Sequence, residues 1–147
     1  MRKVETRSPS FPDAPTNKVL EVAGRTRWQV LCGDAGHWRV GIFSPPETSV
    51  GELTEFEQHD CPEFFALMDG RMTLVMIVDG RMVEKQLRVG EPILVTHPHS
   101  AYCPDGPHSA TCLVVERDSF ETIYKTLDEL GYNGKPGKGG GSDDGDD

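Results

Sequence analysis

Potential metal ligands stand directly before a strongly apolar segment in residues 55–75, EFEQHDCPEFFALMDGRMTLV. In an extended strand, residues two apart lie on the same face, so Glu57 and His59 point to the same side. Glu63 begins the next apolar segment and shares a face with Phe65, which predicts an inward carboxylate. Such a carboxylate is costly unless it is paired, hydrogen-bonded or bound to a cation. A metal ion would satisfy all three polar groups.

A second group of potential ligands lies in THPHS, residues 96–100. His97 and His99 flank Pro98, and in a regular strand the two imidazoles would share a face. The proline favours a bend between them, so only one of the two is expected to join the first group. The residues alone leave both histidines open as the ligand.

The cysteines offer a different site. A zinc ion could be held by Cys61 and Cys103 together with His59 and His99. Closed structural zinc sites usually draw on closely spaced cysteine pairs, and this chain has no C-x-x-C pair. Buried thiols are therefore the favoured interpretation of the four cysteines, which are Cys32, Cys61, Cys103 and Cys112.

Short apolar-rich segments broken by turn signals predict the elements that must position these side chains. Asp69-Gly70 and Asp79-Gly80 lie between β-forming segments, which is a strong signal for hairpins. Many short strands at even spacing predict an all-β sandwich or barrel. The expected strands lie within residues 18–22, 26–32, 37–43, 52–59, 63–68, 71–78, 81–89, 91–97 and 110–116.

The pattern changes after Glu116. Asp118 and Glu121 have the spacing of a capping box, and Gly131 suits a helix C-cap. Between them, apolar residues at helical spacing predict one amphipathic C-terminal helix. These are Phe120, Ile123, Tyr124, Leu127 and Leu130.

The ligand-bearing segment resembles the first motif of the cupin superfamily, G-x5-H-x-H-x(3–4)-E-x6-G. The chain reads Gly51-x5-Glu57-x-His59-x3-Glu63-x6-Gly70, with glutamate replacing the first histidine. The second cupin motif is matched more loosely from Gly90 onward, and a loop two residues shorter than usual aligns its histidine with His99. The resemblance covers about residues 36–117.

This resemblance implies a double-stranded β-helix, a jelly-roll barrel, with a divalent metal at its mouth. The implied ligands are Glu57, His59, Glu63 and His99, with His97 as the second choice for the last. Imidazole and carboxylate ligands suit iron, manganese, nickel or zinc, and open positions would permit substrate binding.

A narrower likeness is to 3-hydroxyanthranilate dioxygenases, on the segments CLVVERDS and EFFALMDGRM. In that family the glutamate matching Glu116 contacts the substrate, which makes Glu116 a candidate catalytic residue. The arginines that hold the substrate carboxylate there are replaced by Leu53 and Cys103. The likeness therefore supplies a pocket residue and not an activity.

Charge and composition limit the classes of partner. The formal net charge of −9 and the lack of a basic cluster argue against nucleic-acid binding. No apolar run is long enough to span a bilayer, and the N-terminus lacks a secretory signal, which predicts a cytoplasmic protein without membrane contact. We expect a flexible arm over residues 1–16, one cupin domain over 17–131 and a disordered Gly/Asp tail over 132–147. A homodimer is also expected, because strands such as TLVMIV are apolar on both faces.

Three functional hypotheses follow. The first is a metal-dependent enzyme, dioxygenase-like, isomerase-like or decarboxylating, that acts on a small oxygen-bearing organic substrate, with Glu57 or Glu116 transferring protons. The second is a cupin that binds or senses a small ligand without turnover. The third is a purely structural barrel without metal, since a fold alone does not fix a function.

Overall fold

The structure, a computed structural model, describes residues 14–134. Most of the expected N-terminal arm and of the expected Gly/Asp tail lies outside the described residues. Within them the chain forms ten β-strands and one short 3₁₀ helix, Val50–Glu52. The strands are β1 (Trp28–Asp34), β2 (Trp38–Phe43), β3 (Phe56–His59), β4 (Glu63–Asp69), β5 (Thr73–Val78), β6 (Arg81–Gln86), β7 (Ile93–Val95), β8 (His99–Tyr102), β9 (Thr111–Arg117) and β10 (Thr122–Lys125).

The strands form two five-stranded antiparallel sheets, which confirms the all-β prediction. Sheet A has the order β1-β2-β9-β4-β7, and sheet B has the order β10-β3-β8-β5-β6. Consecutive strands β3 and β4 lie in different sheets, as do β4 and β5, β6 and β7, and β7 and β8. The chain therefore crosses repeatedly between the sheets and encloses one interior between them.

Alternate residues of both sheets fill that interior. In β4, Phe65 and Leu67 are buried, while Phe64 and Ala66 on the opposite face are only half-buried. The apolar interior continues through β5, β8 and β9 with Leu74, Ala101, Cys103, Cys112 and Val114. At about 25 cal/mol per Å² of buried apolar surface, this cluster is the main source of folding free energy.

A second apolar cluster lies on the outer face of sheet B. Phe56 and Val75 are fully buried there, together with Leu53 and Ile77. Leu127, Leu130 and Tyr132 from the end of the chain pack against this cluster. The chain thus covers with its own residues the outer face of β5, the strand whose two apolar faces led us to expect a homodimer.

Of the two hairpins predicted at Asp-Gly turns, one is found and one is not. At Asp79-Gly80 both residues have positive φ, 50° and 71°, and the turn joins β5 to β6 as a hairpin, as predicted. The hairpin predicted at Asp69-Gly70 is wrong, because this turn carries the chain from sheet A to sheet B. A side chain at Gly70 would meet the carbonyl oxygen of Ser109 at 2.3 Å, so close backbone packing requires glycine there.

The predicted C-terminal helix is wrong. Thr122–Lys125 forms β10, which pairs antiparallel with β3. Only a single turn follows, in which Thr126 Oγ1 accepts a hydrogen bond from the backbone of Glu129 and Glu129 Oε2 accepts one from the backbone of Thr126. The reciprocal hydrogen bonds of a capping box therefore occur at Thr126 and Glu129, in this single turn. Asp118 instead accepts a hydrogen bond from Gly36 N at 2.8 Å.

Two further segments differ from the expected strands. Residues 18–22 were expected to form a strand and do not. Strand β8 begins at His99, directly after the bend that Pro98 introduces, and lies outside the expected strands. Among the residues described, no helix has the length and apolar character needed to cross a membrane.

Candidate metal centre

The candidate ligands lie at one end of the interior, where apolar packing gives way to polar side chains. The ring of Phe65 meets the ring of His99 edge to face at 5.5 Å between centroids. Beyond this contact the interior is lined by His59, Glu63 and Glu116. The abrupt change from ligands to core in residues 55–75 thus reflects a chain that passes from the polar end of the barrel into its apolar end.

The crossing from β3 to β4 brings acids and imidazole together. In β3, Phe56 packs into the outer cluster, so Glu57 and His59 take the opposite, inward face. Residues 60–62 then cross to sheet A, and Glu63, the first residue of β4, is buried. In sheet B, β8 lies next to β3, and His99 is the direct cross-strand partner of Glu57.

Three donor atoms converge at this point. Glu63 Oε2 lies 2.9 Å from His59 Nε2 and 3.0 Å from His99 Nε2. The side chains of all three residues are almost completely buried, with 4% to 7% exposed. Glu57 Oε2 lies 3.4 Å from His59 Nε2, and its side chain remains 35% exposed.

The outward ring nitrogens of both histidines have partners. His59 Nδ1 lies 2.9 Å from Thr122 Oγ1, a residue of β10, and His99 Nδ1 lies 2.9 Å from the carbonyl oxygen of His97. A carbonyl only accepts hydrogen bonds, so His99 Nδ1 carries the hydrogen. Nε2 is therefore the ring nitrogen of His99 that is available to a metal beside Glu63.

The converging atoms fit a metal ion better than they fit one another. Among the described residues, His59 Nε2 and Glu63 Oε2 have no hydrogen-bond partner despite their burial, since their close contacts lack hydrogen-bond alignment. Metal–ligand bonds of about 2.1 Å place adjacent octahedral ligands about 3.0 Å apart, close to the separations found here. Buried lone-pair atoms in this arrangement are costly without a cation between them.

The electrostatics of the cluster also favour a bound cation. Burial by itself lowers the pKa of His59, but Glu57 and Glu63 outweigh it and raise that pKa to about 10. Burial by itself raises the pKa of Glu63, but the contacts with His59 and His99 outweigh it and lower that pKa. The cluster therefore holds a negative carboxylate and attracts positive charge, whether a proton or a metal ion.

Glu116 lies beside this cluster but is bound to a different partner. One oxygen or nitrogen from each of His59, Glu63 and Glu116 lies within 4.8 Å of the others, as is also true of Glu57, His59 and His99. Arg39 Nε donates to Glu116 Oε1 at 2.8 Å, and Arg39 Nη2 lies 2.7 Å from the same oxygen. Burial raises the pKa of Glu116, Arg39 only partly offsets this, and Glu63 raises it further.

Arg39 is a site residue that the sequence did not reveal. It lies in β2 between Trp38 and Val40, and from the sequence alone an arginine at that position suggests a side chain that points into solvent. The inward register was nevertheless available, because Arg39 shares its parity with Gly41 and Phe43, and Phe43 packs against the interior cluster. Its cross-strand partner is Glu116.

The remaining candidate ligands lie elsewhere. The His97 side chain is exposed, and only its backbone carbonyl approaches the site. Within residues 14–134 neither candidate metal cluster includes a cysteine, which argues against the thiolate alternative. All four cysteines are free thiols, and Cys61, Cys103 and Cys112 are buried.

The site opens into a cavity of about 210 Å³. Its lining includes the aromatic side chains of Trp28, Phe120 and Tyr124 and the charged side chains of Arg39 and Glu116. Small-molecule sites commonly have volumes of about 300–1,000 Å³, so this cavity admits only a small ligand. Glu57 also lines a neighbouring cavity of about 310 Å³, so it stands where the two meet.

Comparisons with known proteins find the fold but no close relative. Neither protein-family models nor curated proteins match the chain. The DMSP lyase DddQ from Ruegeria pomeroyi DSS-3 matches with a TM-score of 0.50 at 19% identity, over 69% of this chain and 51% of the lyase. Hydroxypropylphosphonic acid epoxidase from S. wedmorenis matches with a TM-score of 0.52 at 14% identity, over 74% of this chain and 64% of the epoxidase.

An oxalate decarboxylase structure matches with a TM-score of 0.52 at 11% identity, over 81% of this chain and 34% of the decarboxylase. The chain thus spans between about a third and two thirds of these proteins. All of them are cupin-fold proteins, and this chain has the same fold. The expected resemblance to the cupin superfamily is confirmed at the level of the fold, and the residues of the site must be argued from their own geometry.

Proposed function

We propose that the protein is a metal-dependent enzyme that acts on a small oxygen-bearing organic molecule. His59, Glu63 and His99 would hold a divalent metal, with Glu57 as a fourth ligand on the exposed side. The observation that carries this proposal is the convergence of buried Nε2 and Oε2 atoms at 2.9 and 3.0 Å without hydrogen bonds.

The donor set indicates the kind of metal and its chemistry. Two imidazoles with one or two carboxylates suit iron, manganese, nickel or zinc. A metal held there would act as a Lewis acid or redox centre toward an oxygen-bearing substrate. Structural neighbours include a salicylate 1,2-dioxygenase and HppE structures described with Fe(II) and Co(II), which supports this class of chemistry without fixing the metal or substrate.

The surrounding residues have separate tasks in this proposal. Glu57 is half-exposed and stands at the junction of two cavities, where it can exchange a proton with both solvent and substrate. Glu116, held by Arg39, lies next to His59 and Glu63 and is the second candidate for proton transfer. Trp28 and Phe120 limit the access of water to the reacting groups.

Elemental analysis tests the metal centre. Protein purified without added metal is expected to contain one divalent metal per chain. Glu63→Gln and His99→Gln remove a converging donor and should lose that metal, while their circular dichroism spectra remain those of a β-protein. His97→Gln is the matched control, because its side chain is exposed while its backbone carbonyl still supports His99.

The result also separates the functional hypotheses. Equal metal content in His97→Gln and His99→Gln, or no uptake of Fe(II), Mn(II), Ni(II) or Zn(II) by the wild-type protein, would contradict the proposed centre. A metal-loaded protein that binds small oxygen-bearing molecules without converting them would instead support a sensing role. Product analysis with a panel of such molecules decides between these two outcomes.

A further inference from the structure

Arg39 is held in the wall of the metal-site cavity by two aromatic rings. Its guanidinium carbon lies 5.5 Å from the ring centroid of Trp28 and 5.2 Å from that of Phe120. The side chain is 27% exposed, and that exposure faces a cavity. Aromatic faces attract a cation and restrict its motion, so the guanidinium is fixed in place before any ligand arrives.

The hydrogen bonds of Arg39 leave capacity for a ligand. Nε and Nη2 both approach a single oxygen, Glu116 Oε1. A guanidinium has five N–H donors in a planar fork, so contacts with a single acceptor oxygen leave donors available for a ligand. An arginine that served only to neutralise Glu116 would match both carboxylate oxygens with two parallel bonds, and here it does not.

The charges of the cavity favour an anion once a metal is bound, a step that rests on the proposed function. Two arginines, Arg27 and Arg39, and three carboxylates, from Glu57, Glu63 and Glu116, line this cavity. With a divalent cation bound to neutral imidazoles, these charges sum to one excess positive charge. The loaded cavity would therefore be neutralised by a ligand that carries a single negative charge.

The two arginines of the cavity are not equivalent. The Arg27 side chain is 48% exposed and forms an ion pair with Glu47, which itself lines the neighbouring cavity. Arg39 is more buried, lies over the rings of Trp28 and Phe120, and contacts Glu116, a carboxylate of a candidate metal cluster. A buried, restricted guanidinium contributes more to anion binding than an exposed one that solvent screens.

We propose that Arg39 anchors a carboxylate group of a small, flat substrate in the cavity that Trp28 and Phe120 line, and that Glu116 is the internal counter-ion with which this carboxylate competes. The substrate class is thus a small monocarboxylate whose oxygen-bearing end reaches the metal site. The cavity of about 210 Å³ restricts it to a molecule near the size of one aromatic ring.

Binding of benzoate, with benzamide as its neutral isostere, tests this assignment by isothermal titration calorimetry without any requirement for turnover. The protein is used with the metal it retains on purification, or with Zn(II) when it retains none. Wild-type protein should bind benzoate at least about tenfold more tightly than benzamide, because charge-assisted hydrogen bonds to the guanidinium form only with the carboxylate.

Variants on either side of the ion pair should shift benzoate affinity in opposite directions. Glu116→Gln removes the competing charge and should strengthen benzoate binding, whereas Arg39→Lys keeps the charge but loses the fork and should weaken it about tenfold. The double variant Arg39→Gln/Glu116→Gln leaves no buried charge unpaired and should bind benzoate and benzamide equally. Arg27→Gln should change benzoate affinity much less than Arg39→Lys.

Three results would overturn the assignment: equal binding of benzoate and benzamide by wild-type protein, weaker benzoate binding in Glu116→Gln, or a larger loss in Arg27→Gln than in Arg39→Lys. The metal proposal fails separately, through metal analysis. If no metal binds, Glu116→Gln still removes the carboxylate that competes for Arg39, so the preference of this variant for benzoate over benzamide tests Arg39 on its own.

Discussion

The outward nitrogens of the two histidines determine how firmly the candidate ligands are held. Thr122 contacts His59 Nδ1 at 2.9 Å from the neighbouring strand β10, whereas His99 is supported by a backbone carbonyl that mutation cannot remove. Partners of this kind fix ring orientation, and their loss typically lowers metal affinity about 10- to 100-fold.

Thr122→Val should therefore weaken metal binding by about that factor while leaving the free energy of unfolding of the metal-free protein within about 1 kcal/mol of wild type. Chelator competition measures the first quantity and urea unfolding the second. Thr96→Val, an exposed threonine between β7 and β8, is the matched control and should have no effect on affinity. Unchanged affinity in Thr122→Val would show that His59 needs no support from β10.

Metal binding should also release a proton from His59. In the metal-free protein its pKa is raised to about 10, so His59 is protonated at pH 7, whereas a metal requires its lone pair. The lowered pKa of Glu63 means that this carboxylate has no proton to lose. Apparent metal affinity should thus rise about tenfold per pH unit between pH 7 and 9, where His59 remains protonated, and level off as pH passes 10.

Titration calorimetry in two buffers of different ionisation enthalpy measures this proton release directly. About one proton per metal is expected at pH 7. Heats that do not depend on the buffer would show that His59 is already neutral, and the electrostatic account of the cluster would then be wrong.

Much of the site was accessible from sequence because strand alternation fixes the direction of side chains. The inward directions predicted for Glu57, His59 and Glu63 agree with the structure, and the spacing of the cupin motif led to His99. Thr122 is not accessible from the sequence, since the local pattern of its segment predicts a helix. A partner across a sheet depends on the pairing of strands, which a local pattern does not encode.

At the level of elements, a comparison of Gly70 with Gly90 separates the effect of close backbone packing from that of a positive φ. Gly70 and Gly90 have φ of 77° and 84°, so alanine is strained at both. A Cβ at Gly70 would also lie 2.3 Å from Ser109 O and 2.8 Å from Ala110 Cα, whereas a Cβ at Gly90 meets no atom within 4 Å.

Gly90→Ala should cost about 1 kcal/mol of unfolding free energy, and Gly70→Ala about 3 kcal/mol or more, because only the latter forces two backbone segments apart. Urea unfolding of both variants measures the difference. Equal costs would mean that the crossing from sheet A to sheet B at Gly70 is looser than the structure shows.

The wrong C-terminal helix has a physical explanation. Apolar residues at positions 120, 123, 124, 127 and 130 fit one helical stripe, but they serve two different surfaces. Phe120 faces the metal-site cavity, while Leu127 and Leu130 cover the outer face of sheet B. Pairing of β10 with β3 and burial of the outer cluster together outweigh a weak local helix preference.

At the scale of the whole molecule, an exposed apolar patch of the described residues lies on the outward face of sheet A. Leu94 is 64% exposed. Its cross-strand neighbour Phe64 and the partner of Phe64 in the next strand, Val115, are half-buried on the same outward face. The next row holds Ala66 and Leu113. A chain with a net charge of −9 repels a second copy of itself, so two copies can meet most readily at this apolar patch.

The homodimer predicted from sequence is therefore expected to form through sheet A, and not through β5, whose outer face the chain covers itself. A two-fold interface brings each Leu94 into apolar contact, so Leu94→Glu places a charge within the buried region and should convert a dimer to a monomer. Sedimentation velocity measures the mass of each form. Val89→Glu, at an equally exposed residue in the turn before β7, is the matched control and should leave the dimer intact. A wild-type monomer would contradict the dimer itself, and a dimeric Leu94→Glu protein would move the interface to another face.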